Sequence, residues 1–174
     1  HWMVHSFPTR RSSDLLVDVG ASGGSHRIWG QLAPFSIVVG FDADLRDTEF
    51  VVREEKGFKK LFLLNKLIGA SKSTVPFHLT TSPHCSSTLE PDLEALSPYH
   101  FKSLFHVEKT VLLQAIDLKS ALASVDISYV DWLKTDTQGT DLTVVKSLGE
   151  DLIASMIVAE FEPGISSAYK REDK

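Results

Sequence analysis

The segment Val17–Gly24, VDVGASGG, runs an apolar strand through an acid into a glycine-rich turn. Such a turn exposes backbone N–H groups and lets the chain come close to a ligand, because glycine has no Cβ to collide. Asp18, Gly20, Ala21, Ser22 and Gly24 are therefore candidate binding residues. A second apolar run, FSIVVGF, leads into Asp42, about 20 residues beyond the turn, where a carboxylate would hydrogen-bond the two ribose hydroxyls of an adenosine. Asp136 ends the run DWLKTD, so it sits where another strand opens onto the same sheet end. It is the first candidate for a catalytic role. The same residue types also have plain uses: tight βα turns need glycine, and an acid after a strand often only starts a loop or bonds the N–H groups of the following turn.

The missing patterns narrow the ligand. The dinucleotide pattern G-x-G-x-x-G requires glycine where this chain has Ser22, and no Tyr-x-x-x-Lys begins at Tyr99, Tyr129 or Tyr169. A nicotinamide oxidoreductase is thereby disfavoured. No G-x-x-x-x-G-K-[ST] occurs either, which disfavours a loop wrapping ATP phosphates. S-adenosyl-L-methionine, with an adenosine but no phosphate, fits an open turn and a ribose acid better. His78, His84, His100 and His106 lack a compact ligand spacing, so no metal site is expected. Cys85 reads as a small buried residue rather than a nucleophile.

The elements that must hold these residues alternate strand and helix, the rhythm of βαβ units around a parallel sheet. LLVDV and FSIVVGF are the first two strands; Ser25 is placed to cap a short helix through Ala33, stopped by Pro34. A polar helix is expected over 45–58, then a third strand in KLFLLNKLIGAS and a short outlying strand in TVPFHLT. Residues 81–98, rich in Ser, Pro and Thr, read as a loop. EKTVLLQAI is a strand, Asp117 begins a helix to about Ala123, and SYVDWLKTD is another strand. Residues 140–148 form a helix ended by Gly149, and ASMIVAEFE is the last strand.

A chain of 174 residues with 43% hydrophobic residues suits one domain with a real core, while a net charge of −5 and no basic run disfavour nucleic acid and membrane surfaces. The expected partner is a small molecule, not a nucleic acid or a membrane. A single cysteine and no apolar run near the roughly 20 residues that span a bilayer predict a reduced, cytoplasmic setting. His5–Leu15, HSFPTRRSSDL, resembles a translated sequencing adapter residue by residue, so residues 1–15 are expected to lie outside the fold and 16–174 to form one domain, truncated at both ends.

Several blocks, in order, resemble the FkbM-type S-adenosylmethionine-dependent methyltransferases. VDVGASGG resembles that family's V-D-V-G-A-N-x-G, with Ser22 in place of Asn; VVGFDAD resembles its second-strand acid motif, with Asp42 at the acid. CSSTLEPD resembles its Ser-Ser-Leu stretch, DWLKTDTQGTDLTVVKSL its fourth-strand motif, and VAEFEP the strand after it. The resemblance implies an α/β, class I methyltransferase fold, Rossmann-like, with a doubly wound, mostly parallel sheet lacking its last two strands. It implies O-methylation of a hydroxyl on a sugar or natural-product-like molecule. On this resemblance Ser86 and Ser87 join the cofactor site, and Gln138, Asp141 and Glu160 the acceptor site; Gln138 stands where the family usually has Glu, and an amide cannot take a proton as a base. A non-catalytic adenosine-binding module is the alternative reading, and this fragment's activity is in doubt if that Glu is essential.

Overall fold

The computed structural model describes residues 13–21, 27–44, 46, 57–162, 164 and 167–173, with Arg27 and Ile28 described by backbone only. The strands are β1 (Asp14–Val19), β2 (Ser36–Asp42), β3 (Lys60–Asn65), β4 (Leu67–Gly69), β5 (Ser73–Thr80), β6 (Val107–Asp117), β7 (Trp132–Thr135) and β8 (Val158–Phe161). The helices are α1 (Leu118–Ala123), α2 (Asp141–Lys146) and α3 (Glu150–Ser155). Five strands form a parallel sheet in the order β3-β2-β1-β7-β8, and three form a mixed sheet in the order β4-β6-β5. The fold is α/β and compatible with a Rossmann-like arrangement.

β1 is apolar along nearly its whole length because both of its faces are covered. Leu15, Val17 and Val19 pack with Val39, Phe41 and Leu133 against α1 and α2, where Leu118, Leu122 and Val144 are fully buried, as is Leu148 just past α2. On the opposite face Leu16, Val38 and Leu61 meet Trp29, whose ring lies edge-on to Trp132 at 6.1 Å. α1 is capped as its sequence predicts: the Asp117 carboxylate accepts the Ser120 N–H at 2.8 Å. Gly149 follows α2 with a φ of +80°, the conformation that glycine supplies at helix ends.

The structure corrects five expectations. β1 takes in Asp14 and Leu15 from the stretch set outside the fold: Leu15 is fully buried, and its N–H donates to Asp131 Oδ2 at 2.8 Å. The expected third strand is two strands in different sheets. Lys66 N–H donates to Asp42 O and Leu64 O, and Asn65 Nδ2 donates to Asp42 O, so the chain turns away from the parallel sheet there. β5 and β6 pair antiparallel outside the main sheet, because β6 buries only alternate residues (Val111, Leu113, Ala115) and leaves Leu112 exposed. Pro76 sits in β5, which borders that sheet, where a missing N–H is tolerated. Residues 154–155 belong to α3, not to the last strand, which begins at Val158. Two short 3-10 turns, Arg27–Gln31 and Ala33–Phe35, replace the first helix, with Pro34 inside the second; the Ser25 cap and all of the 45–58 helix except 46 and 57–58 lie outside the described residues.

Leu133, fully buried at the centre of β7, tests this packing. Leu133→Ala should lower unfolding free energy by about 3 kcal/mol in urea titrations. A loss under about 1 kcal/mol would mean that β7 is not central to the core.

Candidate functional site

Strand order reverses between β1 and β7, since the chain runs from β1 outward to β2 and β3 and from β7 outward to β8. In open α/β sheets ligands bind at such a reversal, beyond the carboxyl ends of the strands. A cavity of about 120 Å³ lies there. Its walls include Val19 and Gly20 after β1, Asp42 and Asp44 at the end of β2, and Lys134, Asp136 and Gln138 at the end of β7. His84 and Ser86 close it from the 81–98 loop, Lys66 from the link between β3 and β4, and Ile68 and Phe77 from the second sheet.

Gly20 is fixed by two constraints. Its φ is +87°, and a Cβ there would stand 2.0 Å from the carbonyl oxygen of Asp136. The Asp136 N–H donates to Val19 O at 2.8 Å, holding the two strand ends together. The N–H groups of Gly20 and Ala21 both donate to Phe41 O, at 2.9 and 3.1 Å. Those two donors therefore brace the turn against β2 rather than face the cavity. Ser22 and Gly24 lie outside the described residues.

Charges around the cavity are largely paired. Asp18, 3% exposed, accepts from Lys134 Nζ at 3.2 Å. Burial works against the Lys134 charge, but Asp18 outweighs it and holds the ammonium above its ordinary range. Burial likewise pushes Asp44 up, and the hydrogen bonds from Arg46 and Ser86 overcome it, leaving the carboxylate below its ordinary value. Arg46 grips both Asp44 oxygens, with Nη2 at 2.7 Å from Oδ2, and donates to Thr80 O at 2.8 Å. Asp42 accepts the Asp44 N–H at 2.8 Å. Asp136 behaves differently. Burial and the neighbouring Glu162 carboxyl push it up to about 6, against the pull of Lys134 and of Gln138, whose Nε2 donates to Oδ1 at 2.6 Å.

The structure thus brings Gly20, Asp42, Ser86, Asp136 and Gln138 to one cavity and Asp18 to its rim through Lys134. Four expected residues stand apart from its lining, Ala21 among them, its N–H spent on Phe41 O. Ser87 donates to Gln138 O at 2.8 Å, so it fastens the loop to the turn after β7. Asp141 is 5% exposed and accepts the Thr137 N–H at 3.2 Å, folding back beneath its own turn; burial pushes its carboxyl up. Glu160 pairs in register with Lys134 on the outer strand β8. Ser86 is itself engaged, donating to Asp44 Oδ2 and receiving from Arg46, both at 3.0 Å. The sequence reading missed Asp44, Arg46 and the C-terminal Tyr169, whose hydroxyl lies 3.0 Å from Gln138 Oε1. Cys85 is buried, which pushes its thiol up, away from the thiolate a nucleophile needs.

Among the described residues no group of three or more His, Cys, Asp or Glu side chains is arranged to hold a metal ion, and no helix is long and apolar enough to cross a membrane. Comparison with protein-family models, with curated proteins and with solved structures finds no match to this chain.

The raised Asp136 carries a pH signature. Its folded form holds a proton that the unfolded chain releases near 3.8, so this contribution to stability is complete below about pH 4 and is lost as pH rises through about 6. Relative to Asp136→Asn, the wild type should therefore lose stability between about pH 4 and 6 and change little above that. A constant difference across that window, in thermal or urea unfolding, would place Asp136 in solvent.

Proposed function

We propose that this chain is a class I S-adenosylmethionine-dependent methyltransferase of the FkbM type, acting on a hydroxyl of a sugar or natural-product-like small molecule. The observation that carries this reading is the placement of Asp42 and Asp136 on one cavity at the strand-order reversal, on either side of the Gly20 turn. The residues present fit the cofactor's adenosine half. Asp42 closes β2 where a ribose acid belongs, and Gly20, whose missing Cβ lets the Asp136 carbonyl close in, lines the same cavity. Asp42 would hold the ribose and the Gly20 turn would pass close beside it. Bound there, S-adenosylmethionine would supply an electrophilic methyl group on a sulfonium.

Alcohols are weak nucleophiles, so the chain's own task is to hold the acceptor hydroxyl and take its proton. Asp136 suits that task, because a carboxylate that titrates near 6 is ionised at neutral pH yet more basic than an ordinary aspartate. Lys134 beside it keeps the charged form accessible, and Gln138 fixes one oxygen by donating to Oδ1.

Calorimetric titration with S-adenosylmethionine, S-adenosylhomocysteine and NAD tests the reading. The two sulfur ligands should bind and NAD should not; binding of NAD alone overturns the proposal. Asp42→Ala should weaken cofactor binding by about tenfold or more. Asp136→Ala should lower transfer of labelled methyl to a panel of sugar acceptors by about a hundredfold with little change in cofactor affinity. The wild-type rate should rise with pH through about 6 and then level.

A further inference from the structure

The C-terminal residues return to the cavity wall. Tyr169 pairs across an isolated bridge with Pro91, and the neighbouring backbone is bonded from Asp92 N to Ala168 O at 2.8 Å and from Lys170 N to Glu90 O at 2.9 Å. Beyond it, Asp173 accepts the Thr143 N–H of α2 at 2.7 Å. Tyr169 is 4% exposed and packed with Cys85, Leu96 and Phe105, so its ring has little room to move. Burial pushes its phenol well above the ordinary range, so the hydroxyl keeps its proton.

That hydroxyl lies within hydrogen-bond distance of two acceptors, Cys85 O at 2.8 Å and Gln138 Oε1 at 3.0 Å. Gln138 has a φ of +56° and lies between the hydroxyl and Asp136, with Nε2 at 2.6 Å from Oδ1. An amide has one accepting and one donating end of nearly equal size. A proton delivered to Oε1 leaves only the donating end for Asp136. The geometry points to Tyr169 as a positioning residue whose hydroxyl locks the Gln138 amide with N–H toward Asp136, so that the C-terminal segment favours the Asp136 carboxylate. Without the hydroxyl the amide is free to turn, and its carbonyl would then oppose the charge. A signal in the sequence existed only in part: Gln138 stood out, and nothing marked Tyr169 as its partner.

Other groups act on Asp136 as well. Lys134 faces it from β7, itself paired with Asp18 of β1; Glu162 lies beyond β8, Asp141 at the start of α2, and Cys85 in the loop. Asp42, Asp44 and His84 share the cavity. Removing the Tyr169 hydroxyl also leaves the Cys85 carbonyl without that donor, so the relay is isolated by comparing the substitution with and without Gln138. The catalytic consequence rests on the methyl-transfer reading; the titration of Asp136 does not.

The test is the carbon-13 shift of the Asp136 carboxyl against pH in labelled full-length chain, assigned by its loss in Asp136→Asn. Gln138→Met, which keeps length and removes the amide, should raise the midpoint by about one pH unit. Tyr169→Phe, which keeps the buried ring, should raise it by about half a unit. In the Gln138→Met background, Tyr169→Phe should add nothing, because the hydroxyl acts through the amide. An unchanged or lowered midpoint in Tyr169→Phe, or the same rise with and without Gln138, overturns the proposal. Should Tyr169→Phe fail to fold, an unchanged midpoint in Gln138→Met alone overturns it. Failure to bind any cofactor would leave these midpoints where they are and would count only against the methyl-transfer reading.

Discussion

The carbonyl of Asp136 occupies the space where a side chain on residue 20 would stand. That close approach is the constraint on which the site depends. It draws the end of β7 against the end of β1 at the point where strand order reverses, and the bond from Asp136 N–H to Val19 O keeps it there. Gly20 is needed twice over, for its positive φ and for its missing Cβ. Once the two ends touch, the donors of Gly20 and Ala21 turn to Phe41 O, which binds the end of β2 into the same corner. Three strand ends, carrying Asp18, Asp42 and Asp136, are thereby set around one small space. The acids are collected by backbone geometry.

Much of this was legible in the sequence, for local reasons. β1 and β2 are buried on both faces, so they show as short apolar runs, and each ends at a residue that local chemistry marks: glycine for the turn, aspartate for the neighbouring strand end. Asp117 and Gly149 bracket helices through interactions within three or four residues. What was not legible depends on partners far along the chain. Nothing within KLFLLNKLIGAS reveals that Lys66 will bond back to Asp42 and lead the chain into a second sheet. α3 is six residues long and half apolar, too short for a helical period to separate it from the strand that follows. Arg46 and Tyr169 matter through contacts 34 and 31 residues or more away, which no spacing rule reaches.

The middle loop shows the difference between marking a residue and knowing its task. Ser86 and Ser87 stood out by resemblance; Ser86 lines the cavity and Ser87 stands beside it, and both hydroxyls are engaged with protein groups. Ser86 ties the loop to Asp44 and Arg46; Ser87 ties it to the turn at Gln138. Arg46 continues the connection to Thr80 at the end of β5. The second sheet, which among the described residues has no hydrogen-bonded ladder to the first, is joined to it through this set of polar bonds and through Ile68 in the main core. The loop therefore does for the cavity wall what the Gly20 turn does for its floor.

The amide at position 138 has a physical logic of its own. A carboxylate in that place would stand 2.6 Å from Asp136, already crowded by Glu162, and two or three acids in a largely buried space cannot all be ionised. One of them would hold a proton, and Asp136 would be driven further up. An amide removes that competition. It offers Asp136 a hydrogen bond without a charge and takes one from Tyr169 in return. Proton acceptance is then left to Asp136 with Glu162 nearby, while position 138 becomes a link to the C-terminal segment. On the proposed reading, replacing the family's usual Glu by Gln138 moves basic function to one side chain and makes its protonation answer to a residue 33 positions away in sequence.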